Sequence, residues 1–436
     1  MSGVGNPDDV RRLTSLDRLL QTDPHLRVLD DLQLPLSAAQ ITRLRDRWGV
    51  ETADWVASLG ELQRKASEKL GPPGPGQSHW VVTARALQQS SDAYSAAYKA
   101  NRFPGGATII DVCCGIGADA IALRQRGPLL AIDADPLIAR MAAYNLQTGD
   151  HLQTAYPAQV VAGLAERVLS VSEDRRQPFF LHIDPDRRPG DRRATDPRRY
   201  QPALEDVLRW FSCCDGGVVK LAPAATVPLS LPLRYHREWI SLGGSVRQQL
   251  LWIGKLAGAE PPYRSATTLD AQYCHVTFTA SPQQSGLPEA TAPLRWVIDL
   301  DPAIRAAGLS VAFARQHGWF GLCGPQGFFT TDSREVPSPL AKAYEVVWSG
   351  PADVKTLKRV AAERGRLLLE IKVRGTEHDP DDLRRRLRSK RTVGGQPATL
   401  LVGRGGGRVF AAIADPAPPR HPTSSNIRSG DASRRP

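Results

Sequence analysis

The sequence lacks any long hydrophobic run, and this absence excludes several classes of protein. No apolar stretch approaches the roughly 18 residues that cross a bilayer, and the first twelve residues, MSGVGNPDDVRR, contain no apolar signal segment. We therefore expect a soluble, cytoplasmic protein with no membrane partner. With 436 residues, 41% of them hydrophobic and 23% charged, the chain has an ordinary globular composition and is long enough for two or three domains.

Cysteine is scarce, and its spacing suits neither a disulfide framework nor a metal site. The six cysteines are two adjacent pairs, Cys113–Cys114 and Cys213–Cys214, and the single residues Cys274 and Cys323. Neighbouring cysteines can hardly form structural disulfides, and the sequence has neither a C-x-x-C pair nor a Cys/His cluster at zinc spacing. We expect reduced, small apolar core residues and no bound metal.

Positive charge is concentrated in the last third of the chain. Of the formal net charge of +11 at pH 7, residues 294–414 carry +8, from 20 Lys and Arg against 12 Asp and Glu, and residues 415–436 add +2. A basic excess in one region is typical of a protein that meets a polyanion, although a solvated basic surface has the same composition.

Three stretches rich in proline, glycine or small polar residues divide the chain. They are GPPGPGQ at Gly71–Gln77, SPQQSGLPEATAP at Ser281–Pro293, and a tail that begins at Asp415. The first cannot continue a helix, the second is typical of an interdomain linker, and the third has almost nothing to bury. The predicted regions are an N-terminal helical region (1–76), a first domain (77–281), a second domain (294–414) and a disordered tail (415–436).

The region before Gly71 has helical periodicity. Its first apolar face consists of Val10, Leu13, Leu16, Leu19 and Leu20. Ser37 and Gln40 have the spacing of a capping box and predict the start of a further helix.

In the first domain, short apolar runs alternate with helical patterns. The runs ATIIDVC, LLAID, PFFLHID and GGVVKLA are typical of buried parallel strands, and helical patterns begin at Ala118, Pro136 and Pro202. Two later runs, QQLLWIG and AQYCHVTFT, favour an antiparallel pair at the sheet edge. The alternation predicts a doubly wound, Rossmann-like α/β domain of about two hundred residues.

A glycine turn, DVCCGIGADA, follows the first of these strands. Its G-x-G-x-x-A pattern fits a dinucleotide site as well as other Rossmann-type sites, and glycines that serve only helix–strand packing are the alternative. Asp111 lies inside the strand, four residues before Gly115, and Asp133 ends the second strand, where an acid can accept hydrogen bonds from ribose hydroxyls. The two acids resemble the first two motifs of class I S-adenosylmethionine methyltransferases, whereas nicotinamide dehydrogenases usually lack the first.

S-adenosylmethionine has no phosphate, so the glycines would serve another purpose than phosphate binding. Gly115 and Gly117 would allow close backbone approach to the adenosine and methionine moieties. An acid near the turn would bind the ammonium group or order the loop.

A second polar motif, DPDRR, follows the fourth strand, at the sheet edge where doubly wound sheets bind ligands. It resembles the D-P-P-aromatic motif of amino-methyltransferases, but Asp186 replaces the second proline and Arg187 the aromatic residue. An arginine can stack on a base or pair with a phosphate. The alternatives are a turn-capping role for Asp184 and a metal-binding D-x-D. Six arginines at 187–199 lie in a predicted loop, either solvated or covering the site as a phosphate-binding lid.

The motifs together resemble bacterial class I methyltransferases that carry a C-terminal THUMP-like domain. The segments that carry the resemblance span roughly residues 78–414: ALQQSSDAYSAAYKANRF, DVCCGIGADA, IDADP, IDPDRR, VVKLAP, VIDLDPAIRAAGL, LLLEIKVRG, DPDDLRRRLRSK and ATLLVGRGGGRVFAAIA. The last three also predict, by pattern alone, a strand, a helix with an acidic start and a basic body, and two strands around a glycine turn. The resemblance implies a class I methyltransferase domain at 77–281 and an α+β THUMP-like domain at 294–414.

The resemblance also assigns residues. The implied cofactor contacts are Asp111, Cys113, Gly115, Gly117 and Asp133, with Gln89 and Ser90 in a segment packing over the cofactor. The implied reaction centre consists of Asp184, Pro185, Asp186, Arg187 and Arg188, with Lys220 close by. The third strand, in AQVVAGLAERV, lacks the acid that often meets the adenine amino group.

We therefore expect an S-adenosylmethionine-dependent methyltransferase that acts on a structured RNA, with a base nitrogen as the favoured target and the THUMP-like domain helping to bind the RNA. One alternative is a methyltransferase for a small molecule or a protein. A second is a non-catalytic RNA-binding protein with a vestigial cofactor fold, and a nicotinamide dehydrogenase is disfavoured by Asp111. The oligomeric state is left open.

Overall fold

The computed structural model describes most of the chain between residues 36 and 417. The described residues are 36–73, 79–147, 156–170, 178–187, 194–227, 231, 233–258, 263–283, 286–322, 324, 326–333, 338–387 and 395–417. The chain divides into two compact units, Met1–Ser281 and Pro282–Pro436. The predicted helix around Val10 lies outside the described residues, as do Arg188 and Cys323. None of the described helices is long and apolar enough to cross a membrane.

The first unit consists of helices around one large sheet. Its described helices are α1 (Ala38–Trp48), α2 (Val50–Leu70), α3 (Ala84–Gln89), α4 (Ala93–Ala100), α5 (Ala118–Leu123), α6 (Pro136–Gln147), α7 (Ala165–Ser170) and α8 (Leu204–Trp210). Its described strands are β1 (Thr108–Val112), β2 (Leu129–Asp133), β3 (Ala158–Ala162), β4 (Phe179–Ile183), β5 (Gly216–Leu221), β6 (Tyr235–Leu242), β7 (Ser245–Gly254), β8 (Arg264–Leu269) and β9 (His275–Ala280).

The nine described strands are ordered β3-β2-β1-β4-β5-β7-β6-β8-β9. The first five are parallel, and four of them, β2, β1, β4 and β5, are the apolar runs that predict parallel strands. In β1, Ile110 packs into one core and Ile109 into the core on the opposite face, so the sheet is buried on both sides. The predicted doubly wound α/β fold is confirmed.

The predicted pairing of the two late strands is wrong. QQLLWIG lies in β7, which is inserted antiparallel between β5 and β6, whereas AQYCHVTFT contributes β9, which pairs with β8 at the sheet edge. The difference is physical: residues 248–253 of β7 are all buried, while β9 alternates between exposed and half-buried residues. Helix α8 begins at Leu204, two residues later than predicted.

The N-terminal helices pack on the α/β domain. The predicted capping box is present: the Ser37 hydroxyl accepts the N–H of Gln40 at 3.3 Å, and the Gln40 side-chain oxygen accepts the N–H of Ser37 at 2.8 Å. Buried residues of α2, such as Leu59, share one hydrophobic core with Ile116 of the glycine turn and Met141 of α6. The described part of the N-terminal helical region therefore continues the core of the α/β domain.

The second unit is built on a separate sheet. Its described elements are β10 (Trp296–Leu300), α9 (Pro302–Ala306), α10 (Ser310–Gln316), β11 (Phe320–Leu322), β12 (Phe328–Thr331), β13 (Ala341–Pro351), α11 (Val354–Glu363), β14 (Arg366–Val373), α12 (Pro380–Leu387), β15 (Gln396–Gly405) and β16 (Arg408–Pro416). The strand order is β11-β12-β10-β13-β16-β15-β14, antiparallel throughout except for the pair β14–β15. The predicted hairpin is present, with Gly406 and Gly407 at φ of +54° and +78° in the turn between β15 and β16.

Two expectations at the edges of this unit need correction. Strand β16 extends to Pro416, two residues into the segment predicted as a disordered tail, because Asp415 pairs with Glu345 of β13. Glu289, in the predicted linker, forms an isolated β-bridge with Gly321.

The five cysteines that the structure describes are free thiols, but they are not uniformly buried. Cys114 is buried, Cys113, Cys213 and Cys214 are half-buried, and Cys274 is exposed in the turn before β9, which corrects its expected place in the core.

Candidate active site

The two glycines of the turn after β1 have different physical roles. Cys113, Gly115 and Gly117 all have left-handed backbone conformations, with φ of +57°, +56° and +85°. A Cβ on Gly117 would lie 2.5 Å from Leu146 Cδ1, so this glycine allows α5 to pack closely on α6. A Cβ on Gly115 would meet no atom within 4 Å. The backbone at Gly115 is therefore open to an approaching ligand.

Asp133, at the end of β2, holds this turn in place. Its carboxylate oxygens accept the N–H of Gly115 at 2.9 Å and the N–H of Asp135 at 3.0 Å. Burial raises the pKa of Asp133 to about 6, even though these two hydrogen bonds lower it. Each carboxylate oxygen can still accept a further hydrogen bond, so the group is suited to hydroxyl donors.

Asp111 lies inside the sheet rather than at its edge. It is completely buried, and its Oδ1 contacts Nδ1 of His182, its register partner on β4, at 2.7 Å. Its Oδ2 is buried with no hydrogen-bond partner among the described residues. Burial raises the pKa of Asp111, against the lowering effect of the adjacent His182. A direct contact between Asp111 and a cofactor stays a prediction.

Behind Asp111, a buried network of polar side chains links β4 to α4 and α5. His182 Nε2 lies 3.2 Å from Nζ of Lys99, and Lys99 pairs with Oδ1 of Asp119 at 2.7 Å. The Ser91 hydroxyl donates to Oδ2 of Asp119 at 2.8 Å. Burial raises the pKa of Asp119, but the charges of Lys99 and His182 outweigh it and hold that pKa below its usual value.

The described residues predicted for the reaction centre lie at the ends of β4 and β5. Asp184 donates its N–H to the carbonyl of Val112 at 3.1 Å, which fixes the chain where β4 ends. Nζ of Lys220 donates to Oδ2 of Asp184 at 2.6 Å and to the carbonyl of Gln89 at 3.4 Å. The Gln89 amide donates to Oδ1 of Asp186 at 3.3 Å. The structure thus brings together Gln89, Asp184, Asp186 and Lys220.

The other predicted residues are less tightly connected to this centre. Pro185 is buried, and Arg187 is half-buried with Nη1 lacking a hydrogen-bond partner among the described residues. Arg188 lies outside the described residues. The Ser90 hydroxyl donates to the carbonyl of Leu87 at 2.9 Å, so it terminates its own helix, α3. Ligand contacts by these residues stay predictions.

Cys113, at the start of the turn, is half-buried and has acidic residues nearby. Burial, followed by the charges of Asp133, Asp184, Asp111 and Asp186, raises the pKa of the Cys113 thiol well above its usual value. A thiol in this setting stays protonated and is not a nucleophile.

Lys69, from the C-terminal end of α2, also reaches this region. Its Nζ donates to the carbonyls of Leu87 at 2.6 Å and Gln88 at 3.1 Å. Burial, and then the charge of Lys220, lowers the pKa of Lys69 to about 8. A helix of the N-terminal region therefore fixes the end of α3, which carries Gln89.

Sequence reasoning missed Lys69, Lys99, Asp119 and His182. The sequence carries a signal for two of them, because Lys99 and His182 are ionisable residues inside otherwise apolar segments, AYSAAYKA and FFLHI. Buried ionisable groups are almost always paired, so each of these residues indicates a buried polar partner. No local signal marks Lys69, because its partners are backbone carbonyls distant in sequence.

The arrangement suits a ligand with hydroxyl groups and no phosphate. The open space at Gly115 leaves room for a ligand beside the turn. The carboxylates of Asp133 and of the acids at the end of β4 would repel a phosphate, and they would accept hydrogen bonds from hydroxyl or amine donors. No cluster of three or more His, Cys, Asp or Glu side chains that could hold a metal ion occurs in the part of the chain that the structure describes.

Comparison with known proteins identifies relatives of both units. Residues 341–416 match a family model described as THUMP domain-like. The chain is 32% identical over 366 residues to an uncharacterised S-adenosylmethionine-dependent methyltransferase of Mycobacterium tuberculosis strain ATCC 25618 / H37Rv, and the match covers 83% of this chain and 95% of that protein. The corresponding protein of strain CDC 1551 / Oshkosh matches equally well.

A solved structure has the same fold. It is a candidate methyltransferase from Porphyromonas gingivalis W83, which superposes with a TM-score of 0.73 over 95% of this chain and 100% of that one, at 19% sequence identity. At this identity the likeness concerns the fold alone.

Proposed function

The chain belongs to the S-adenosylmethionine-dependent methyltransferases, and from this premise we propose that it methylates a base nitrogen of a structured RNA. The observation that carries the proposal is the position of Asp184, half-buried at the end of β4 and held by Lys220 at 2.6 Å. The THUMP-like match at 341–416 and the net charge of +8 at 294–414 support RNA as the substrate class.

The residues at the glycine turn fit the cofactor. Asp133 would accept hydrogen bonds from the ribose hydroxyls, and the open backbone at Gly115 would lie against the adenosine and methionine moieties. Cys113 and Gly117 would shape the turn, and the segment at Gln89 and Ser90 would pack over it. When bound, S-adenosylmethionine supplies an activated methyl group on a sulfonium.

At the reaction centre, Asp184 would accept a hydrogen bond from an N–H of the target base. Asp184 would orient the target nitrogen toward the methyl group and would accept the proton that this nitrogen loses when it is methylated. Methyl transfer of this kind depends mainly on the alignment of the two reactants with water excluded. Lys220 contributes by fixing the orientation of the carboxylate through its contact with Oδ2.

The residues around Asp184 would position the substrate. Pro185 shapes the turn after β4, and the Gln89–Asp186 hydrogen bond ties that turn to α3. Arg187, with a nitrogen that has no hydrogen-bond partner among the described residues, is available for a base or a phosphate. We assign Arg188 the same task from its place in the sequence.

A labelling experiment tests this function. The full chain is incubated with S-adenosylmethionine carrying a labelled methyl group and with total RNA, DNA and protein from the same source. We expect label in RNA alone, and a rate reduced on the order of 100-fold or more in Asp184→Asn, because the variant keeps the shape but loses the charged acceptor.

Asp206→Asn is the matched control, because the Asp206 side chain on α8 is 44% exposed and pairs with the exposed Arg209. It should retain the wild-type rate. Label in protein or in no pool, with cofactor binding intact, would overturn RNA as the substrate. Unchanged RNA methylation by Asp184→Asn would remove the role of Asp184.

A further inference from the structure

A second cavity lies in the first unit, between α4 and the hairpin of β8 and β9. Its volume is about 290 Å³, at the lower end of the range of about 300–1,000 Å³ typical of small-molecule pockets. The lining residues are Tyr94, Ala97, Tyr98, Asn101, Arg102, Leu269, Tyr273 and His275. Half of them are aromatic, and none belongs to the reaction centre described above.

The aromatic rings are arranged in two contacting pairs. Tyr94 and Tyr273 have ring centroids 4.6 Å apart at 50°, and Tyr98 and His275 have centroids 5.0 Å apart at 71°. The Tyr98 hydroxyl donates to buried Glu238 at 2.6 Å, which fixes its ring. Tyr273, by contrast, is 59% exposed. One wall of the cavity is therefore rigid, and the other presents an aromatic face to solvent.

The backbone at Tyr273 is held in an unfavourable conformation. Its φ is +62°, a left-handed value that costs a non-glycine residue free energy. The Asp270 carboxylate enforces the turn by accepting the N–H groups of Gln272 at 2.8 Å and Cys274 at 2.9 Å. Because the Tyr273 side chain remains largely exposed, burial of the ring offsets little of this cost. An aromatic ring displayed in this way is suited to stack on a ligand.

The charges around the cavity favour a neutral planar ligand over a cation. No carboxylate occurs among the described residues that line it, and Arg102 is a cation that pairs with Glu238 at 3.1 Å and lies 4.0 Å over the ring of Trp252. A quaternary ammonium group would find no carboxylate among these lining residues to pair with. The amide of Asn101, which is exposed, supplies both a donor and an acceptor for the edge of a nucleobase.

We propose that this cavity binds one unpaired base of the RNA, stacked against Tyr273. The proposal rests on the proposed function, since it takes RNA as the substrate. It places a base-binding contact on the catalytic unit itself, in addition to the basic second unit. Helix α4 connects this contact to the site, because Tyr94 and Tyr98 face the cavity while Lys99 of the same helix joins the buried network with Asp119 and His182.

The test measures binding of fluorescein-labelled single-stranded 12-mers, oligo(A) and oligo(U), to the full chain by anisotropy. Stacking on a protein aromatic ring contributes enough per base that Tyr273→Ala should weaken binding roughly tenfold, whereas Tyr273→Phe should keep most of the affinity. Tyr263→Ala is the matched control, because Tyr263 is 48% exposed and does not line the cavity. It should bind like the wild type.

The outcomes separate this inference from the proposed function. If the wild type binds the oligonucleotides and neither Tyr273→Ala nor Tyr263→Ala changes the affinity, only the proposal of a base-binding cavity is overturned. Failure of the wild type to bind either oligonucleotide, together with no methylation of RNA, would overturn both proposals. If instead a peptide carrying trimethyllysine binds and Tyr273→Ala abolishes that binding, the cavity is a cation site and the inference is wrong.

Discussion

Two of the aspartate–lysine pairs described in the first unit have nearly equal contact distances and very different surroundings. Asp119 and Lys99 meet at 2.7 Å with side chains 7% and 1% exposed, and Ser91 and His182 complete their hydrogen bonds. Asp184 and Lys220 meet at 2.6 Å, but the carboxylate is 22% exposed. A short ion-pair distance therefore does not by itself indicate a catalytic role. What distinguishes the second pair is an acceptor oxygen that a substrate can still reach.

The buried pair should have the largest effect on stability. Lys99→Met removes the cation and leaves the Asp119 carboxylate buried without a counter-charge, which should lower the free energy of unfolding by about 3–5 kcal/mol. Lys220→Met should cost about 1 kcal/mol, because water can reach the exposed oxygen of Asp184. Urea unfolding of the three proteins measures the difference.

Lys255→Met provides the control, since Lys255 is 68% exposed and its pair with Asp215 lies at the surface. Its free energy of unfolding should stay within about 0.5 kcal/mol of the wild type. Equal losses in Lys99→Met and Lys220→Met would show that the two pairs do not differ in the way their burial indicates.

The order of the two variants, Lys99→Met and Lys220→Met, should reverse when the loss of activity is measured instead of the loss of stability. Lys220→Met should lower kcat on the order of 100-fold, because a misplaced Asp184 no longer aligns the target nitrogen, while KM for RNA changes little. Lys220→Arg should restore part of kcat by contacting Asp184 again. Single-turnover methylation of the RNA pool gives the rate. If Lys220→Met instead raises KM for RNA on the order of 100-fold and leaves kcat unchanged, Lys220 contributes to substrate binding and not to positioning.

Features of the fold and the site that depend on a local sequence pattern could be predicted, whereas contacts between segments far apart in sequence could not. The strand–turn–helix around Gly115 and the acids Asp133 and Asp184 are local patterns, so the sequence predicts their positions well. The pairing of β7 was mispredicted because periodicity along a strand does not identify its neighbour. The contacts of Lys69 and Lys99 join segments far apart in sequence, and they depend on packing that no local pattern encodes.

Asp133 differs from Asp119 and Asp184 because its carboxylate is held by backbone N–H groups instead of a lysine. Its folded pKa of about 6 lies above the ordinary value of 3.8, so the folded protein binds more protons than the unfolded chain between these pH values. The associated stability is present at low pH and is lost as pH rises through 6. Ribose hydroxyls donate to the ionised form, so cofactor binding should be favoured by deprotonation.

We therefore expect the affinity for S-adenosylmethionine to rise about tenfold between pH 5 and pH 7.5, since a bound hydroxyl should return the pKa of Asp133 toward its ordinary value. Isothermal titration calorimetry on the full chain measures it. Asp133→Asn should bind more weakly and with little dependence on pH. Asp135→Asn should keep most of the dependence, because burial is the largest cause of the raised pKa of Asp133 and the charge of Asp135 a smaller one. A pH-independent wild type would mean that Asp133 does not meet the ribose, leaving it only the task of holding Gly115.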